Sequence, residues 1–76
     1  MTNTLLLEER INESGYKKSF IASKIGKSAY ALSLKIKNKT EFKASEINIL
    51  CDILGIDAQD RMAIFFAQEV DLKSTK

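Results

Sequence analysis

The chain has 76 residues, 45% of them apolar and 29% charged, with no proline and three glycines, so it can hold one domain with a small, economical core. One cysteine and no histidine exclude an internal disulfide and leave a Cys/His zinc site without ligands, and with no glycine-rich phosphate loop the usual catalytic constellations lack their parts. Formal net charge is only +2, yet residues 17 to 43 carry eight lysines against one acid, Glu41, a local +7 that leaves −5 for the rest of the chain; such asymmetry is either a solvated lysine surface or the footprint of a face that binds nucleic acid.

Taken in chain order, the apolar spacing predicts five short helices and an all-α fold. After a cap at Asn3 or Thr4, Leu6, Leu7 and Ile11 mark a first helix over about residues 4 to 14, and Gly15 stops it. Tyr16 follows that stop and is read as packed on the core edge. Phe20, Ile21, Ala22 and Ile25 repeat at three and four in a second helix of about eight residues that Gly26 closes. Ser28 suits an N-cap, and Ala29, Leu32 and Ile36 then form the stripe of a third helix over about 28 to 37. Ile47, Leu50, Ile53 and Leu54, stopped by Gly55, predict a fourth over about 44 to 54, with Cys51 read as a small core hydrophobe. Asp57 caps a fifth helix with Met62, Phe65 and Phe66 on one face and an Asp57–Arg61 pair at i, i+4. The whole chain, 1 to 76, reads as a single domain with its core over about 4 to 67 and a tail over 68 to 76. The longest uncharged apolar run, Met62 to Ala67, is far short of a bilayer span, and no charged start leads into an apolar h-region, so the expected location is cytoplasmic with no membrane partner.

The critical joint lies at residues 22 to 28. Gly26 takes a positive φ without steric cost, which lets the chain turn sharply between the second and third helices. Ala22 is small enough for the two to approach at a steep angle, with Ile25 and Leu32 filling the space between them. This is the arithmetic of a helix-turn-helix.

The stretch "FIASKIGKSAYALSLKIKNK", with Ala22, Gly26, Ser28, Leu32 and a closing Asn38, resembles the helix-turn-helix of the Cro and repressor-like regulators of temperate bacteriophages, over about residues 5 to 56. The later stretch "RMAIFFAQEVD" is similar to the tails of small Cro-like phage proteins of Gram-positive hosts. The resemblance implies a compact five-helix, lambda-repressor-like domain and a DNA-binding transcriptional regulator of a phage-type genetic switch inside a bacterial host. It also sets Lys18 in a slot where relatives often carry a phosphate-binding glutamine, and Ala29, Tyr30 and Leu34 in the three main base-reading slots. Relatives of this size can instead capture the DNA-binding domain of a partner phage repressor, which makes a protein-binding antirepressor the alternative.

With the third helix in a major groove, the candidate base-contacting residues are Lys27, Ser28, Ala29, Tyr30, Ser33 and Leu34. The candidate phosphate-contacting residues are Lys17 and Lys18 before the joint and Lys35, Lys37, Asn38, Lys39 and Thr40 after it. No Arg, Gln or Asn among the base-facing residues offers a bidentate pair, so direct readout is expected to be poor or to depend on DNA shape. Phe65, Phe66 and Val70 either close the core or meet a second copy or a partner. No catalytic residue, metal ligand or cofactor is expected; the expected partner is double-stranded operator DNA, bound by a homodimer.

Overall fold

In the computed structural model, which describes residues 1–67, helix boundaries follow from the capping groups that the sequence supplies. There are five helices, α1 (Thr4–Ser14), α2 (Lys18–Lys24), α3 (Ala29–Ile36), α4 (Ala44–Leu54) and α5 (Ala58–Phe65), and no strand among the described residues. Side-chain oxygens of Asn3, Ser28 and Asp57 accept from the backbone N–H groups of Leu6, Ala31 and Asp60, each satisfying one orphan donor of a first turn. No helix is long and apolar enough to cross a membrane among the described residues.

Helices α2 and α3 end alike. At Gly26 (φ +72°) the Gly26 N–H donates to the Ser23 carbonyl and the Lys27 N–H to the Ala22 carbonyl. At Asn38 (φ +65°) the Asn38 N–H donates to the Lys35 carbonyl and the Lys39 N–H to the Leu34 carbonyl. Both are paired-bond caps built on one left-handed residue, and asparagine tolerates that conformation better than other residues with a side chain. The Asn38 amide also brackets the chain start, accepting from the Thr2 N–H at 2.9 Å and donating to the Thr2 carbonyl at 2.8 Å. The N-terminal segment thus runs between the ends of α3 and α5, where the Asn3 N–H also donates to the Ile64 carbonyl and the Ala67 N–H to the Met1 carbonyl.

The core is a single aliphatic cluster in which Leu7, Ile21, Leu32, Ile36, Leu50 and Ile64 are fully buried, with Ala22 equally inaccessible. The contact between α2 and α3 is the most extensive between any two helices. Four expectations from periodicity fail at the core's edge. Ala29 is exposed, because the core side of α3 is completed by Lys35 beside Leu32 and Ile36. Phe20 is 41% exposed; a seven-residue helix turns too narrow a face inward, and Ile21 and Ala22 fill it. Tyr16, also exposed, stacks on Phe20 at 4.9 Å between ring centroids, and the Lys24 ammonium lies 5.0 Å over the same ring. In α5 the inward residues are Ile64 and Phe65, while Met62 (59%), two residues before Ile64 and so turned away from it, and Phe66 (42%), past the end of the helix, are exposed. Nor does Asp57 pair with Arg61, whose guanidinium instead donates to Asn48 at 2.6 Å, while Asp60 meets Arg10 at 3.0 Å and ties α5 to α1.

One charged pair lies inside. Lys35 of α3 (8% exposed) and Glu46 of α4 (4%) meet at 3.2 Å, and the same Glu46 oxygen accepts from the Lys43 N–H at 2.9 Å. Burial pushes the Glu46 carboxyl up, but the Lys43 N–H and the Lys35 ammonium outweigh it and hold it below its ordinary value of 4.5.

Two measurements test this packing. Ala22→Leu is expected to overpack the α2–α3 crossing and cost about 1 to 3 kcal/mol in a thermal or denaturant melt; a variant that melts like the parent would place Ala22 at the surface. Lys35→Ala, which strands Glu46, is expected to cost about 3 to 5 kcal/mol. Because the folded Glu46 value is depressed, its stabilisation is complete above pH 4.5 and is lost as pH falls below it. Glu46→Gln should therefore show a shallower acid-induced loss of stability than the parent.

Candidate nucleic-acid interface

The outer side of α3 is short. Eight helical residues rise about 12 Å, enough to bring one helix-length of side chains against a groove floor. Its start presents Lys27 and the N-cap Ser28 just before the helix and Ala29 and Tyr30 in its first turn, all exposed, Tyr30 at 74%. Ser33 and Leu34, one turn on, are half-buried. The Ser28 hydroxyl already accepts from the Ala31 N–H, which leaves its proton and one lone pair for a ligand.

Beyond α3, Lys37, Lys39 and Thr40 are exposed on the connection to α4. Two residues of the sequence-predicted phosphate set do not join them. Lys35 points inward to Glu46 and also donates to the Glu41 carbonyl at 2.8 Å, since its position three residues after Leu32 lies on the core side of the helix. Asn38 has its amide committed on both sides to Thr2. Before the joint, Lys17 is exposed and Lys18 is half-buried in an ion pair with Glu8 at 3.0 Å. Among the described residues, Lys17, Lys24, Lys27, Lys37, Lys39 and Lys43 have no carboxylate within ion-pair distance, so their charge stays available to an external anion. Lys24 and Lys43 were not singled out from sequence as contacts; their place in the +7 segment was the available signal.

The aromatic contacts divide. Phe65 is buried edge-on against Phe42 at 5.4 Å and belongs to the core. Phe66 borders a cleft of about 410 Å³ with Met1, Thr2, Phe42 and Ile47. Val70 lies outside the described residues. Cys51 is buried, and burial pushes its thiol up, opposed by Arg61 and reinforced by Asp52; the thiolate that a nucleophile or metal ligand needs is disfavoured. Among the described residues no group of three or more acidic or sulfur side chains could hold a metal ion.

No protein-family model, curated protein or solved structure matches the chain.

Proposed function

We propose that the protein is a DNA-binding transcriptional regulator of a phage-type switch, with α2 and α3 as its helix-turn-helix and α3 as the element that enters the major groove. The observation that carries this reading is the joint: fully buried Ala22 and left-handed Gly26 bring α2 and α3 into close contact, and the helix beyond it turns an uncommitted polar face outward. Free ammonium groups before α3 (Lys17, Lys27) and after it (Lys37, Lys39) suit two clamps on the phosphate backbone. The base-facing set is Lys27, Ala29, Tyr30 and the half-buried Ser33 and Leu34, which offers a tyrosine hydroxyl and methyl contacts but no bidentate pair. The chain would bind as a two-fold dimer on half-sites about one helical turn apart.

The alternative reading is a protein-binding antirepressor. It is favoured by the openness of Tyr30 and by the exposed apolar rim of Met1, Met62 and Phe66, which suit a protein surface better than a phosphate backbone. A titration of promoter DNA from the parent element, with and without the neighbouring repressor, separates the two.

On the DNA reading, affinity for duplex falls steeply with added salt, log affinity against log salt giving a slope set by the number of phosphates neutralised; binding indifferent to salt would sink the reading. Single substitutions refine it. Tyr30→Ala is expected to cost about 1 to 3 kcal/mol and relax sequence preference, whereas Lys39→Ala should weaken all sequences alike and lower the salt slope by about one. Equal loss of repressor capture by Tyr30→Ala with unchanged DNA affinity would favour the antirepressor.

A further inference from the structure

Of the eight lysines in the basic segment, Lys35 alone is buried, and its ammonium is held on one side by three groups. It meets the Glu46 carboxylate at 3.2 Å, donates to the Glu41 carbonyl at 2.8 Å and lies 5.9 Å from the centre of the Phe42 ring. Glu46 in turn accepts from the Lys43 N–H at 2.9 Å. One charged pair therefore fixes the backbone at positions 41 and 43, while the α3 cap fixes it at 38 and 39 through the bonds to Lys35 and Leu34. The connection that carries Lys37, Lys39 and Thr40 is held at both ends.

Stability does not account for a buried ion pair in so small a core, because apolar residues of similar volume commonly serve as well or better. Directionality does. An apolar pair would fill the same space but offer no acceptor to the Lys43 N–H and no donor to the Glu41 carbonyl, so the connection would lose its two side-chain tethers. We propose that Lys35, through Glu46, is a positioning residue for DNA binding: it sets the connection between α3 and α4 so that Lys37, Lys39 and Thr40 stand in fixed register with the exposed face of α3. This rests on the DNA reading. Lys35 touches no DNA itself and lowers the ordering cost of the residues that do.

The experiment compares the parent chain, Lys35→Met/Glu46→Met and Lys39→Ala, using a mixed-sequence duplex of about two helical turns as probe, with thermal melts and amide hydrogen exchange across residues 37–43. The double variant is expected to melt at or above the parent's temperature. Its duplex affinity should nevertheless fall about tenfold, the cost of ordering about one residue's backbone at binding instead of beforehand. Its salt slope should stay the parent's, where Lys39→Ala lowers the slope by about one. Exchange at Lys43 should quicken. Unchanged exchange overturns the proposal, and so does faster exchange with unchanged affinity. Glu46→Ala, which removes both the acceptor for the Lys43 N–H and the ionic partner of Lys35, covers the case in which the double variant does not fold; it too must quicken exchange at Lys43, or the proposal fails. If the parent binds no duplex, the DNA reading falls, and exchange alone decides whether Lys35 holds the connection.

Discussion

The close approach of α2 and α3 at Ala22 is the constraint on which the rest of the structure depends. A side chain any larger there would part the two helices, and the left-handed backbone at Gly26 completes the turn without a steric penalty. Once that contact is made, Leu32 and Ile36 face Leu7, Ile21 and Leu50 in one cluster, and the opposite side of α3 faces outward. The exposed polar face is a consequence of the core.

A core of this size leaves its periphery to polar devices. Three short side chains cap helix starts, and Asn38 does two things at once, taking the left-handed conformation that ends α3 and clasping both backbone groups of Thr2. Lys35 and Glu46 do the equivalent work between α3 and α4. No buried polar side-chain atom is left without a partner among the described residues. The basic segment is thus partly a surface and partly a scaffold: Lys35 and Lys18 are bound to carboxylates, while the other lysines keep their charge for something outside.

How much of this was legible varied with the kind of signal. Helix boundaries were, because a glycine, serine or aspartate at a helix end acts through its own backbone and the next turn, and Gly15, Gly26, Gly55, Ser28 and Asp57 did as their types require. The candidate site was legible as a charged segment and as the exposed first turn of α3. Its membership was not. Lys35 and Lys37 are two residues apart and identical in type; Lys35 lies on the core side of α3 with Leu32 and Ile36, where Glu46 of α4 meets it, while Lys37 follows the end of the helix and is exposed.

The sequence by itself determined five helices, their caps, the tight joint at Gly26 and the concentration of lysine around α3, since each depends on residues within a turn or two of one another. The tertiary structure decided which side chains the core would accept. Phe20 and Phe66 were apolar enough to be buried and are not, Phe20 because a short helix offers a narrow inward face and Phe66 because it falls past the end of α5. Lys35 and Glu46 were polar enough to be exposed and are not, because each supplies the other's opposite charge across eleven residues of chain and the Glu41 carbonyl takes a hydrogen bond from Lys35, and no local pattern encodes a partner that the fold alone brings near.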